Sequence, residues 1–68
     1  MPIINVQLLR GRTGAQKSTF IKEVATVAMR TLEVPEHAIR IVLSEVEPED
    51  WGVGTRTMVE LRAAAQEK

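Results

Sequence analysis

The stretch Pro2-Ile3-Ile4-Asn5-Val6-Gln7-Leu8-Leu9 decides the fold. Ile4, Val6 and Leu8 fall on one side of an extended chain and Asn5 and Gln7 on the other, the two-residue period of a strand with one buried face. Gly11 and Thr13-Gly14 end it. Thr13 precedes Gln16 by three residues, the spacing of a capping box, so a helix is predicted to begin there. Its apolar positions Phe20, Ile21, Val24, Val27, Ala28 and Leu32 step by three and four and predict one buried stripe, with Lys17, Lys22, Glu23 and Arg30 facing elsewhere. Pro35 disfavours helix in the residue before it and sets the stop near Leu32 or Glu33. The run Ile39-Arg40-Ile41-Val42-Leu43-Ser44-Glu45-Val46 reads as a second strand, with Ile39, Ile41 and Leu43 on one face and Arg40 and Ser44 on the other. Strand, helix, strand with short links is a βαβ unit, whose strands pair in parallel through a right-handed crossover.

Beyond the second strand, Glu47-Pro48-Glu49-Asp50 is a turn and Trp51-Gly52-Val53-Gly54 suits a tight hairpin or loop. Met58, Leu61 and Ala65 put a terminal helix over residues 57–67, placed to clasp a neighbouring subunit. No linker or internal repeat interrupts the pattern. Residues 1–68 therefore read as a single α/β domain, a small βαβ subunit with two parallel strands and a C-terminal hairpin and helix.

Composition says that such a unit needs partners. A 68-residue chain buries only about 60% of the surface its unfolded form exposes, and two strands alone are barely stable. Disulfides and a structural metal are ruled out by zero cysteines and a single histidine, which leaves oligomerisation. At 44% hydrophobic and 26% charged the chain is ordinarily globular. It has no apolar run long enough to cross a bilayer and no secretory leader, so a cytoplasmic protein is expected, with no membrane partner. A net charge of zero argues against a nucleic-acid partner. That zero is an average: residues 1–34 hold Arg10, Arg12, Lys17, Lys22 and Arg30 against Glu23 and Glu33, a surplus of three that the second half balances. The first half is suited to an anion.

The familiar catalytic constellations are missing, including a cysteine nucleophile, a glycine-rich phosphate loop and a metal-binding cluster. The unusual feature is a proline directly after the initiator methionine. Removal of Met1 before this small residue turns Pro2 into a free secondary amine, at once a base and a nucleophile. An α-amino group titrates near 8, and apolar surroundings or a neighbouring cation lower that value and raise the share of free base at neutral pH. Arg12, just past the first strand, and Arg40, at the start of the second, are the candidate cations, brought toward Pro2 by packing of subunits. Arginine grips carboxylates bidentately and stays charged. A base beside carboxylate clamps suits proton abstraction next to a carbonyl in a small organic acid. Trp51 is a candidate apolar wall.

Pro2-Ile3-Ile4, Leu9-Arg10-Gly11-Arg12, Gln16-Lys17, Pro35 before Ile39-Arg40-Ile41-Val42, and Trp51-Gly52-Val53-Gly54 together resemble the 4-oxalocrotonate tautomerase family of the tautomerase superfamily, from Pro2 to about Arg62. The resemblance implies a βαβ subunit assembled as a homohexamer, heterohexamers being known, with active sites shared between subunits. It implies that Pro2 is the general base that moves a proton within a 2-hydroxymuconate-like 2-hydroxy or 2-oxo acid, with no cofactor and no metal. It makes Arg12 the residue that binds the distal carboxylate, Arg40 the one that engages the 2-oxo acid end, and Trp51 the counterpart of a common Phe that keeps the proline pKa low. Arg10 stands where one branch has an acidic residue, and the indole of Trp51 is larger than the usual ring. Both departures bear on substrate choice.

Plainer readings stand beside these. Pro2 alone reads as a processing signal at a strand edge. Arg12 reads as a solvated charge, Arg40 as a strand residue pairing Glu45 or an acid of another subunit, and Trp51 as an interface anchor. Glu45, Glu47, Glu49 and Asp50 read as a solvated turn, one of them serving to activate water if the chain were a hydratase or dehalogenase. His37, Met29, Met58, Arg56 and Arg62 read as surface or packing residues. Two function classes follow: a cofactor-free tautomerase, and a non-catalytic oligomeric module of the same fold.

Overall fold

The computed structural model describes residues 2–66, so Met1 and Glu67, the predicted last helical residue, lie outside the description. Strand β1 (Ile3–Leu9) is followed by helix α1 (Gly14–Leu32), a short 3-10 turn (Glu36–Ala38), strand β2 (Arg40–Val46) and a second 3-10 turn (Pro48–Asp50). Two-residue strands β3 (Gly52–Val53) and β4 (Arg56–Thr57) lead into helix α2 (Met58–Gln66). β1 and β2 pair in parallel from Ile3 opposite Arg40 to Leu9 opposite Val46, as the βαβ reading requires. β3 and β4 form the expected hairpin, where Gly54, with φ of 64°, takes a backbone conformation that few other residues adopt.

Local chemistry explains the ends of α1. Thr13 Oγ1 accepts from the Gln16 N–H at 3.1 Å while Gln16 Oε1 accepts from the Thr13 N–H at 2.9 Å, the predicted capping box. At the other end Glu33 adopts a left-handed conformation, φ 54° and ψ 48°, and Pro35 keeps the chain from re-entering the helix. Helix α2 has a capping box of its own. Thr57 Oγ1 accepts from the Glu60 N–H at 3.2 Å and Glu60 Oε1 from the Thr57 N–H at 2.8 Å. Thr57 thus caps α2 rather than opening it. Likewise β2 begins at Arg40 and not Ile39, because the Ile39 N–H is bound by the Glu36 carbonyl and closes the first 3-10 turn.

One expectation about packing is corrected. Ile4, Val6, Leu8, Ile41 and Leu43 form the half-buried side of the sheet, yet among the described residues only Ala28 is fully buried. Phe20, Ile21, Val27 and Leu32, predicted to share a buried stripe, are 38–56% exposed. Two strands span only about 10 Å, no wider than the helix that crosses them, so the apolar residues on the flanks of α1 have no sheet beneath them. Ile4, Phe20, Val24, Val27 and Ala28 line an open apolar groove of about 400 Å³ along this overhang. On the opposite side of the sheet, Ile3 and Val42 lie bare at 55% and 49% exposure.

Candidate active site

Pro2 is half-buried and immediately precedes β1, and its carbonyl accepts the Arg40 backbone N–H at 3.1 Å. The parallel register therefore sets Pro2 and Arg40 at one end of the sheet. Arg40 Nη1 donates to the carbonyls of His37 at 2.7 Å and Ile39 at 3.1 Å, which anchors the guanidinium to the turn before β2. Both bonds use the same nitrogen, so the N–H groups on Nη2 and Nε keep their donor capacity for an anion. Arg40 does not pair Glu45, the structural alternative in the sequence, because Glu45 sits at the far end of β2.

Arg12 and Trp51 lie at that far end. A seven-residue strand covers about 20 Å, so within one subunit neither residue stands beside Pro2. Arg12 lines a pocket of about 180 Å³ with Leu8, Gln16, Lys17 and Phe20, on the helix side of the sheet. Its guanidinium makes no hydrogen bond or ion pair among the described residues. Trp51 lines a separate cavity with Gln7, Val46, Asp50 and Gly52. It is half-buried and anchored by its backbone, its N–H donating to Pro48 O and its carbonyl accepting from Met58 N at 2.8 Å. The four candidate residues thus fall into two groups, Pro2 with Arg40 and Arg12 with Trp51, at opposite ends of the parallel pair.

The acidic run is not merely a solvated turn. Glu45 Oε1 accepts from Lys17 Nζ at 2.9 Å, and Glu47 Oε1 from Arg10 Nη1 at 2.8 Å. The Lys17 bond is the main cause that holds the Glu45 carboxyl below its ordinary range. The Glu47 bond raises the Arg10 pKa still further. These pairs join residues 28 and 37 positions apart, and no local sequence signal announces them. The α2 cap was legible, since Thr57-Met58-Val59-Glu60 carries the same spacing as Thr13 and Gln16. No helix among the described residues is long and apolar enough to cross a membrane.

Comparison with known proteins places the chain in a family. Residues 2–60 match the sequence model of the family described as tautomerase enzyme. A probable tautomerase of Listeria monocytogenes is 39% identical over 54 residues, covering 79% of this chain and 88% of that protein. A 2-hydroxymuconate tautomerase of Pseudomonas putida is 35% identical over 54 residues, 79% of this chain and 86% of that protein. The solved structure of a heterohexameric 4-oxalocrotonate tautomerase from Chloroflexus aurantiacus superimposes with a TM-score of 0.85 at 32% identity, covering 91% of this chain and all of that one.

Proposed function

Since the chain belongs to the tautomerase family and is accordingly a keto–enol isomerase, we propose that it moves a proton within a small unsaturated 2-hydroxy or 2-oxo acid such as 2-hydroxymuconate, with the Pro2 amine as the base. The observation that supports this reading is the register that bonds the Arg40 backbone N–H to the carbonyl of half-buried Pro2 and so puts both residues at one end of the sheet. Once Met1 is removed, the Pro2 nitrogen lone pair accepts the 2-hydroxyl proton of the dienol. The charge left is shared between the 2-oxygen, where the free N–H groups of Arg40 stabilise it, and the conjugated carbons. The protonated proline delivers the proton to one of those carbons as the 2-oxygen becomes a carbonyl, and the isomerisation is complete with no change in atoms or electrons. No cofactor or metal enters this cycle.

Arg12 receives the distal carboxylate and Trp51 supplies an apolar wall. Both must come from neighbouring chains, because about 20 Å of strand separates them from Pro2 in their own, and their pockets lie on opposite faces of the sheet. An oligomer in which the far end of one sheet meets the near end of another completes the site. A homohexamer is the proposed assembly; the P. putida relative, a 2-hydroxymuconate tautomerase, and the C. aurantiacus relative, a heterohexamer, lend support to the substrate class and to an assembly of that size.

The test is an ultraviolet assay of 2-hydroxymuconate and phenylenolpyruvate ketonisation, using protein shown by mass spectrometry to begin at Pro2. Turnover well above background is expected, with a loss of about 10²- to 10⁴-fold in Pro2→Ala, the usual worth of a positioned acid–base group. Rates equal to those of Pro2→Ala for both substrates overturn the assignment.

A further inference from the structure

Three cations cluster where β1 meets α1, and the end of β2 answers two of them. Arg10 is tied to Glu47 and Lys17 to Glu45, whereas Arg12 between them has no carboxylate partner among the described residues. The two ion pairs differ in position. Lys17 lines the Arg12 pocket, and its pair is two-thirds buried, with side chains 30% and 35% exposed. Arg10 lies outside that pocket, and its pair is open to solvent at 69% and 45% exposure. The pocket floor, Leu8 and Phe20, is apolar, and the Gln16 side-chain oxygen is already engaged in the α1 cap. One free guanidinium therefore faces a short apolar space.

We propose that Glu45 is a specificity-determining residue that acts through Lys17: by pairing the lysine it leaves the pocket with one uncompensated positive charge, matched to a substrate end that bears a single carboxylate. The inference rests on the proposed function, in which Arg12 receives the distal carboxylate. Without Glu45, Lys17 becomes a second free cation in the same pocket. A carboxylate there then gains an added attraction, which a neutral substrate end does not feel. Because the pair is partly exposed, the gain has the size of an exposed charge interaction and is screened by salt.

The experiment compares 2-hydroxymuconate, which carries a distal carboxylate, with phenylenolpyruvate, which carries a phenyl ring there. Glu45→Gln should raise the kcat/KM ratio of the first to the second by about three- to fivefold at low ionic strength, and the rise should vanish in high salt. Calorimetric titration with trans,trans-muconate, an unreactive dicarboxylate, should show a tightening of the same size. Glu47→Gln makes the same change in net charge outside the pocket and should move both readouts by less than half as much. The double variant Lys17→Met with Glu45→Gln, which removes the pair as a unit, should return the ratio to within twofold of the wild type. A ratio and a muconate affinity unchanged in Glu45→Gln overturn the proposal, as does an equal response in Glu47→Gln. Wild-type protein that converts neither dienol defeats the functional reading instead, and the muconate titration still decides the role of Glu45.

Discussion

At the scale of single residues, the two arginines differ in what holds them, and that difference predicts how each fails. Arg40 is anchored through Nη1 to two carbonyls beside its own turn, and in the proposed mechanism its remaining N–H groups meet the charge that develops during proton transfer. Arg40→Ala should therefore lower kcat by about 10²-fold with a smaller change in KM, as loss of a transition-state donor does. Arg12 is unanchored among the described residues, and the carboxylate it is proposed to meet is equally charged before and during the reaction. Arg12→Ala should raise the KM for 2-hydroxymuconate by about tenfold or more while leaving phenylenolpyruvate little affected, a contrast that steady-state kinetics on the two substrates reads directly. Pro2, Arg12, Arg40 and Trp51 could be singled out as candidates in the sequence only through their joint register, since none of them is distinctive alone. Their separation into two ends was not legible there, since it depends on the parallel register of β1 and β2.

At the scale of elements, both helices start from the same device, and α2 depends on it more. Nine residues are too few for a helix to persist unaided, so the reciprocal bonds between Thr57 and Glu60 are a principal support of α2. Thr57→Ala should cost about 1 kcal/mol in urea unfolding and show first as lost α2 amide protection in hydrogen exchange. Acid should act on the same joint. The Glu60 carboxyl is held below its ordinary value, chiefly by the Thr57 backbone N–H, and the Glu45 carboxyl chiefly by Lys17. A depressed carboxylate contributes its stability above the unfolded-state value near 4.3 and loses it as pH falls through the folded value. Unfolding midpoints should thus be flat near neutrality and decline below about pH 4. The sequence revealed the strand periods, the Thr13–Gln16 cap and the Pro35 stop because each lies within four residues. The width of the sheet beneath α1 is a tertiary property, so the overhang of Phe20, Val27 and Leu32 could not be read locally.

For the molecule as a whole, extension is the governing fact. The radius of gyration is 15.9 Å, against about 11 Å for a compact chain of this length. The solvent-accessible surface is 5380 Å², where about 4,300 Å² is usual for 7.6 kDa. Much of the excess is apolar, on the flanks of α1 and the bare side of the sheet, and in the proposed oligomer its burial against other copies supplies the core a single chain lacks. Dilution below the dissociation constant of the assembly should therefore lower thermal stability and turnover together. Light scattering over a concentration series, run beside the dienol assay, checks whether the two fall in step.

The placement of Pro2 and Arg12 at opposite ends of β1 has a genetic counterpart. Chains bearing Pro2→Ala and chains bearing Arg12→Ala are each defective alone, but each carries the half that the other lacks. Refolded as a mixture, they should complement, because some sites in the hybrid oligomers join an intact proline to an intact arginine. Two inactive proteins would then yield an active one, whereas a site built within one chain would give nothing back. The same logic lets a duplicated gene divide the work, one copy keeping the base and the other the clamp.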